Sequence, residues 1–258
     1  MGIVNVTPDS FSGDGVPDAH GAVLHALAQH ERGSDLLDIG AESTRPGYVA
    51  VDTQTELARL LPVIRGVRDR LPDAVISADT YKAEVFREAH AAGADMLNCV
   101  WGLPDDLLDA AVEADVPVII MHNKERAEYD GDVMDEVLHF LDAAAQRAVN
   151  AGIPAENVIL DPGIGFGKTP EHNLRVLHEL ARLPLLGFPT LLGASRKSTI
   201  GKLTGKTPGE RVYGTAATTA LAIAAGIDIV RVHDVAEARD VVSVSDAIVR
   251  GWRPPSWT

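Results

Sequence analysis

Eight short, β-branched apolar runs recur along the chain, each followed by a stretch of helical pattern. No other feature restricts the fold as strongly as this alternation. The runs are Ile3–Val6, Leu36–Ile39, Ala74–Ala78, Met96–Asn98, Val116–Ile120, Val158–Leu160, Thr190–Leu192 and Ile229–Val232. Their near-continuous apolarity suits parallel strands buried on both faces. Helices are predicted over Gly21–Glu31, Thr53–Leu71, Lys82–Ala92, Asp105–Glu113, Asp132–Asn150, Glu171–Ala181, Pro208–Ala225 and Ala236–Arg250. Thr53 and Glu56 stand at capping-box spacing, and Pro62 is expected to kink or divide its helix. Thr207, Pro208 and Gly226 bound the seventh helix as cap, first turn and stop. Eight strands and eight helices close most simply as an α/β (β/α)8 TIM barrel, because right-handed crossovers cover every strand and leave no edge. A doubly wound open sheet stays open as the alternative. No linker, charge block or short repeat divides the chain, so residues 1–258 are expected to form one domain.

Composition narrows the partners. Lys and Arg number 23 against 37 Asp and Glu, giving a net charge of −14, and so acidic a surface repels nucleic acid. No window has the roughly 18 apolar residues of a membrane span, and no secretory leader is expected. The single Cys99 excludes an internal disulfide, which fits a reducing cytosol. Positive charge for an anionic ligand must therefore be gathered locally.

In a barrel, the residues just after each strand meet at one face, which carries the chemistry. Here those positions hold Asn5, Asp38, Asp79, Asn98, His122, Asp161, Lys197, Arg231 and His233. A single strand-end Asp is most often a helix cap, and His122 alone reads equally well as structural. Independent capping does not require so many ionisable groups to converge on one mouth. Gly163–Thr169 looks like a phosphate loop, but Pro162 stands where the Walker spacing requires Gly. No structural zinc spacing and no G-x-S-x-G elbow is present.

Six blocks in fixed order carry a family resemblance. They are Met1–Ser12, Asp38–Gly47, Asp79–Lys82, Asp161–Lys168, Ser195–Ser198 and Arg231–Asp234. Together they resemble the dihydropteroate synthase family of pterin-binding barrels, over residues 1 to about 241. The resemblance implies attack of para-aminobenzoate on 6-hydroxymethyl-7,8-dihydropterin pyrophosphate, with loss of pyrophosphate by a dissociative route. It also implies Mg2+, a cytoplasmic setting and a homodimer formed through late outer helices. The pterin site would use Asp79, Asn98, Asp161 and Lys197, with Lys197, Arg231 and Asp79 catalytic. Physical chemistry agrees, because the 2-amino and ring N–H edge of a pterin resembles a guanidine and pairs with a carboxylate in bidentate fashion.

Pyrophosphate would meet Asn5, Thr44, Arg45, Arg231 and His233, with Arg196 a further candidate, and Asn5 matches the family's magnesium position. Para-aminobenzoate would meet Asp9, Phe11, Thr44, Arg45, Pro46 and Ser198. Two departures stand out: Ser12-Gly13-Asp14-Gly15 for the usual Ser-Asp-Gly-Gly, and Cys99 where Asp is common. Cys99 is expected to pack behind the site. Relatives carry a leading segment over the barrel floor, and a natural start upstream of Met1 stays open. Three other readings remain: a catalytically silent pterin-binding paralogue, a methyltetrahydrofolate–corrinoid methyltransferase and a phosphosugar barrel enzyme.

Overall fold

The computed structural model describes residues 1–6, 18–42 and 50–254. Among the described residues there are eight parallel strands: β1 (Gly2–Asn5), β2 (Leu36–Gly40), β3 (Val75–Asp79), β4 (Met96–Cys99), β5 (Val118–Met121), β6 (Val158–Asp161), β7 (Leu191–Leu192) and β8 (Ile229–Val230). The first six pair in sequence order, and β7 pairs with β8. Single parallel bridges join Leu160 to Thr190 and Gly2 to Val232. Ile3 N–H donates to Val232 O at 3.0 Å and Val232 N–H to Met1 O at 3.0 Å. Backbone bonds thus connect each strand to the next around a ring, as the barrel expectation requires, and the open-sheet alternative falls away.

Among the described residues there are nine α-helices: α1 (Ala19–Glu31), α2 (Thr53–Arg68), α3 (Ala83–Ala91), α4 (Asp105–Ala114), α5 (Val133–Asn150), α6 (Pro170–His178), α7 (Ser198–Thr204), α8 (Val212–Ala224) and α9 (Val235–Val249). Three expectations are corrected. The cap of α2 is Asp52, whose carboxylate accepts from Thr55 N, so Thr53 and Glu56 form no capping box. Of the two outcomes expected at Pro62, a kink or a division, the division does not occur. The proline is exposed, so the carbonyl it leaves unbonded, that of exposed Ala58, faces water, while Leu60, Val63, Ile64 and Val67 bury the opposite side. The predicted Pro208–Ala225 helix is a 3-10 turn (Pro208–Glu210) capped by Thr207, followed by α8 after Arg211. The seven-residue α7 was not foreseen; Gly201 and its threonines give little helical signal. No described helix is long and apolar enough to cross a membrane.

The two-residue period of each strand decides what faces inward. Met1, Met96, Ile119, Ile159 and Leu191, with Leu36 and Ile229, form an apolar plug inside the ring. Alternate residues such as Val4, Ile39, Ile76, Leu97, Ile120 and Leu160 face outward and pack with α2 to α5 in the main core. Two positions beyond the plug, the inward residues become Asp38, Asn98, Met121, Asp161 and Arg231. The floor is therefore greasy and the mouth polar on the same strands.

Candidate active site

Strand register builds the mouth. Asn5 pairs with Gly40, Gly40 with Asp79 and Asp79 with Asn98, so these residues lie in one row across four strands. Arg231, just after β8, crosses the opening: its Nε donates to Asp38 Oδ2 at 2.5 Å and its Nη2 to Asp79 Oδ2 at 3.0 Å. Asn98 Nδ2 donates to the same Asp38 oxygen at 3.1 Å. Asp38 is fully buried, and its Oδ1 has no hydrogen-bond partner among the described residues.

Burial first, then the facing Asp38 carboxylate, push Asp79 up to about 7 against the pull of Arg231. Burial also raises Asp161, opposed by the Gly163 N–H, Lys197 and Arg231. Arg231 lies above its ordinary value: burial lowers it, but Asp38 and Asp79 outweigh that. Lys197 precedes α7, with its Nζ 4.0 Å from the centre of the Phe166 ring, a cation–π contact. His233 Nδ1 meets the buried Ser195 hydroxyl at 2.9 Å.

Asp38, Asp79, Asn98, Asp161, Lys197, Arg231 and His233 thus all lie at the strand ends on one face. Ser198 opens α7 and is exposed. Asp9, Phe11, Thr44, Arg45 and Pro46 lie outside the described residues. Arg196 is bidentate on Asp234 (Nε–Oδ2 3.0 Å, Nη2–Oδ1 2.5 Å), which makes it a link between the seventh and eighth loops. Cys99 is fully buried in the main core, and burial pushes its thiol up to about 11.

Sequence reasoning missed two polar groups behind the mouth. Lys82 Nζ bridges Glu42 (2.5 Å) and the fully buried Glu56 (2.6 Å), and donates to Val51 O at 2.7 Å. Tyr81 also donates to Glu42, at 2.9 Å. The second group centres on Lys168. Burial, offset in part by Asp161 and reinforced by Lys197, pulls it down to about 7. Its amine lies 2.8 Å from Nδ1 of His122, which burial and that amine hold down at about 3, a neutral imidazole. Carboxylates in an otherwise apolar interior were the only signal for the first group. The glycine pattern concealed the second.

No cluster of three or more His, Cys, Asp or Glu suited to a metal ion exists among the described residues. Half-buried Asn5, at the end of β1, offers one neutral amide oxygen. That set suits Mg2+ carried largely by phosphate oxygens and water, and not an ion caged by protein.

The mouth thus sets carboxylates, an amide and two cations around one opening at the strand ends of a barrel. The sequence profile of the pterin binding enzyme family matches residues 1–233, and the chain belongs to that family. Its relatives are dihydropteroate synthases. That of Clostridium beijerinckii is 44% identical over 254 residues, covering 97% of this chain and 94% of the relative. The Bacillus subtilis enzyme is 44% identical over 252 residues, covering 96% and 88%. Among solved structures, the Clostridium difficile dihydropteroate synthase in the presence of pteroic acid superposes with a TM-score of 0.91 at 46% identity, covering 97% of this chain and 96% of that one. The Xanthomonas albilineans enzyme in complex with 7,8-dihydropteroate gives 0.88 at 44% identity, covering 98% and 94%.

Proposed function

We propose that this chain is a dihydropteroate synthase whose active site is the mouth formed by Asp38, Asp79, Asn98, Asp161, Lys197 and Arg231. It joins 6-hydroxymethyl-7,8-dihydropterin pyrophosphate to para-aminobenzoate, giving 7,8-dihydropteroate and pyrophosphate. The observation that carries the reading is the convergence of three carboxylates with Arg231 and Lys197 at one strand-end face of a chain with net charge −14.

Asp161 takes the guanidine-like edge of the pterin in bidentate fashion, and Lys197 donates to the ring carbonyl and its neighbouring nitrogen. Asp79 and Asn98 serve the remaining ring nitrogens. With a pKa near 7, Asp79 can hold or give up a proton at its ring contact in the working range. Arg231 and His233, with Arg45 and Thr44 from the second loop, receive the charge that grows on the departing pyrophosphate, the dominant catalytic contribution in such a site. Asn5 would hold a Mg2+ ion, which would supply further neutralisation of that charge. As the C–O bond to pyrophosphate breaks, the electron-rich ring stabilises the methylene cation, and the arylamine nitrogen attacks it and loses a proton. No protein nucleophile takes part. Asp9, Phe11, Thr44, Arg45, Pro46 and Ser198 hold the arylamine.

Residues 1–258 act as one domain in this reading. The lone buried thiol and the folate-pathway chemistry support a cytoplasmic setting. Exposed Leu203, Tyr213, Leu221 and Ile248 on α7, α8 and α9 support a homodimer through those helices, and sedimentation of Leu221→Glu as a monomer checks it.

The test of the function is pyrophosphate release from the dihydropterin pyrophosphate with Mg2+, with and without para-aminobenzoate. Release should depend on the arylamine, collapse in Lys197→Ala and fall when EDTA removes divalent ions. Tight pterin binding with no turnover would instead mark a silent paralogue.

A further inference from the structure

The glycine-rich stretch Gly163–Thr169 looks like a phosphate loop but lacks its spacing, and its lysine is turned onto the protein's own groups. Lys168 Nζ donates to Gly163 O at 3.0 Å and to Phe166 O at 3.2 Å, and meets His122 Nδ1 at 2.8 Å. An ammonium has three donors, and these three acceptors use all of them. The neutral His122 ring can accept at Nδ1 only with its proton on Nε2. That ring is buried and held edge-on by Phe140, with centroids 5.1 Å apart.

The two carbonyls that Lys168 grips belong to the turn carrying the site. Gly163 N–H donates to Asp161 Oδ1 at 2.8 Å, and the Phe166 ring lies under Lys197 Nζ. A second link runs through buried Asn173, which accepts from Gly165 N–H at 2.8 Å and donates to Thr199 in the first turn of α7, two residues past Lys197. Bare backbone completes the arrangement. Gly163 and Gly167 both have positive φ, and a Cβ on either would strike the carbonyl oxygen of His122 or Lys124 in the neighbouring loop.

We propose that Lys168 is a positioning residue for the pterin: closed on Gly163, Phe166 and His122, it sets the turn that fixes Asp161 against Lys197, and it contributes nothing to pyrophosphate binding. This inference rests on the proposed reaction, and its consequence is a separation of two affinities. Losing a buried charge-assisted bond should weaken a ligand that depends on the turn by about 10- to 100-fold. A ligand seated only on Arg231 and His233 should be unaffected.

The experiment measures two dissociation constants by calorimetry: for 6-hydroxymethylpterin, which has the ring and no phosphate, and for inorganic pyrophosphate with Mg2+. Lys168→Met should lose about 10- to 100-fold for the pterin and keep its pyrophosphate affinity. His122→Leu, which leaves the lysine in place and removes one acceptor, guards against a Lys168 variant that fails to fold. It should shift the same way by a smaller factor, and His122→Asn, retaining an acceptor, should recover most of the loss. Weakened pyrophosphate binding with unchanged pterin binding in Lys168→Met would overturn the proposal, as would His122→Leu binding both ligands normally. If the unaltered protein bound neither ligand, the proposed function itself would fall.

Discussion

Asp79 offers a test that needs no substrate. Its carboxyl is raised from 3.8 to about 7 in the folded chain, chiefly by burial and by Asp38. Between those values the folded protein holds a proton that the unfolded chain has released, so stability must fall as pH rises through that window. From about pH 5 to about pH 8 the difference integrates to nearly two pKa units, or about 2–3 kcal/mol at 1.36 kcal/mol per unit. Asp79→Asn cannot titrate and should escape this loss. In paired thermal melts its Tm relative to the unaltered protein should climb with pH by roughly 5–10 °C over that range for a chain of this length. Lys168 and the Met1 amine, lowered to about 7 and about 6, also titrate there, but they do so in both proteins. A Tm difference that stayed flat, or shrank as pH rose, would refute the assignment of a strained carboxyl at the mouth. The same substitution should abolish most turnover, which would separate the cost of Asp79 to the fold from its use to the reaction.

Lys82→Met should cost about 3–5 kcal/mol in urea melts, because it leaves Glu42 and the fully buried Glu56 without their cation; a loss under about 1 kcal/mol would argue against the bridge. Gly163→Ala forces a side chain into left-handed backbone and onto the His122 carbonyl. It should lower stability by at least about 2 kcal/mol and weaken pterin binding together with it. Cys99, buried and raised to about 11, should react with a thiol reagent only as fast as the chain unfolds. Cys99→Asp should destabilise by about 2 kcal/mol or more without raising activity; a large gain in activity would mean that the cysteine impairs the site.

The barrel was readable because its strands are covered on both sides, which leaves continuous apolar runs that no loop would carry. Boundaries slipped by a residue where a strand ends in a carboxylate or a glycine. Asp79, Asp161 and Gly40 read as loop residues but are the last residues of their strands. Most of the mouth was visible for the same reason, since residues after successive strands must converge once the ring closes. The pairing inside it was not visible. Arg231 and Asp38 stand 193 residues apart, and no local spacing announces that they touch. The stretch around Lys168 looks like a phosphate loop and is rejected on Pro162, which leaves the lysine with no role. The lysine's inward turn depends on His122, which lies in the loop after β5 and supplies an acceptor no motif records. Pro62 leaves α2 undivided because it stands on the exposed side of the helix, which a propensity rule ignores.

Where the loops after β5 and β6 meet, Gly163 and Gly167 lie directly against the carbonyls of His122 and Lys124. Neither glycine can grow a side chain without prying the two loops apart, and that seam lies behind the shelf formed by Asp161 and Phe166. A lineage under pressure from an inhibitor seated on that shelf would find few tolerated substitutions there. Escape would have to come from more distant positions.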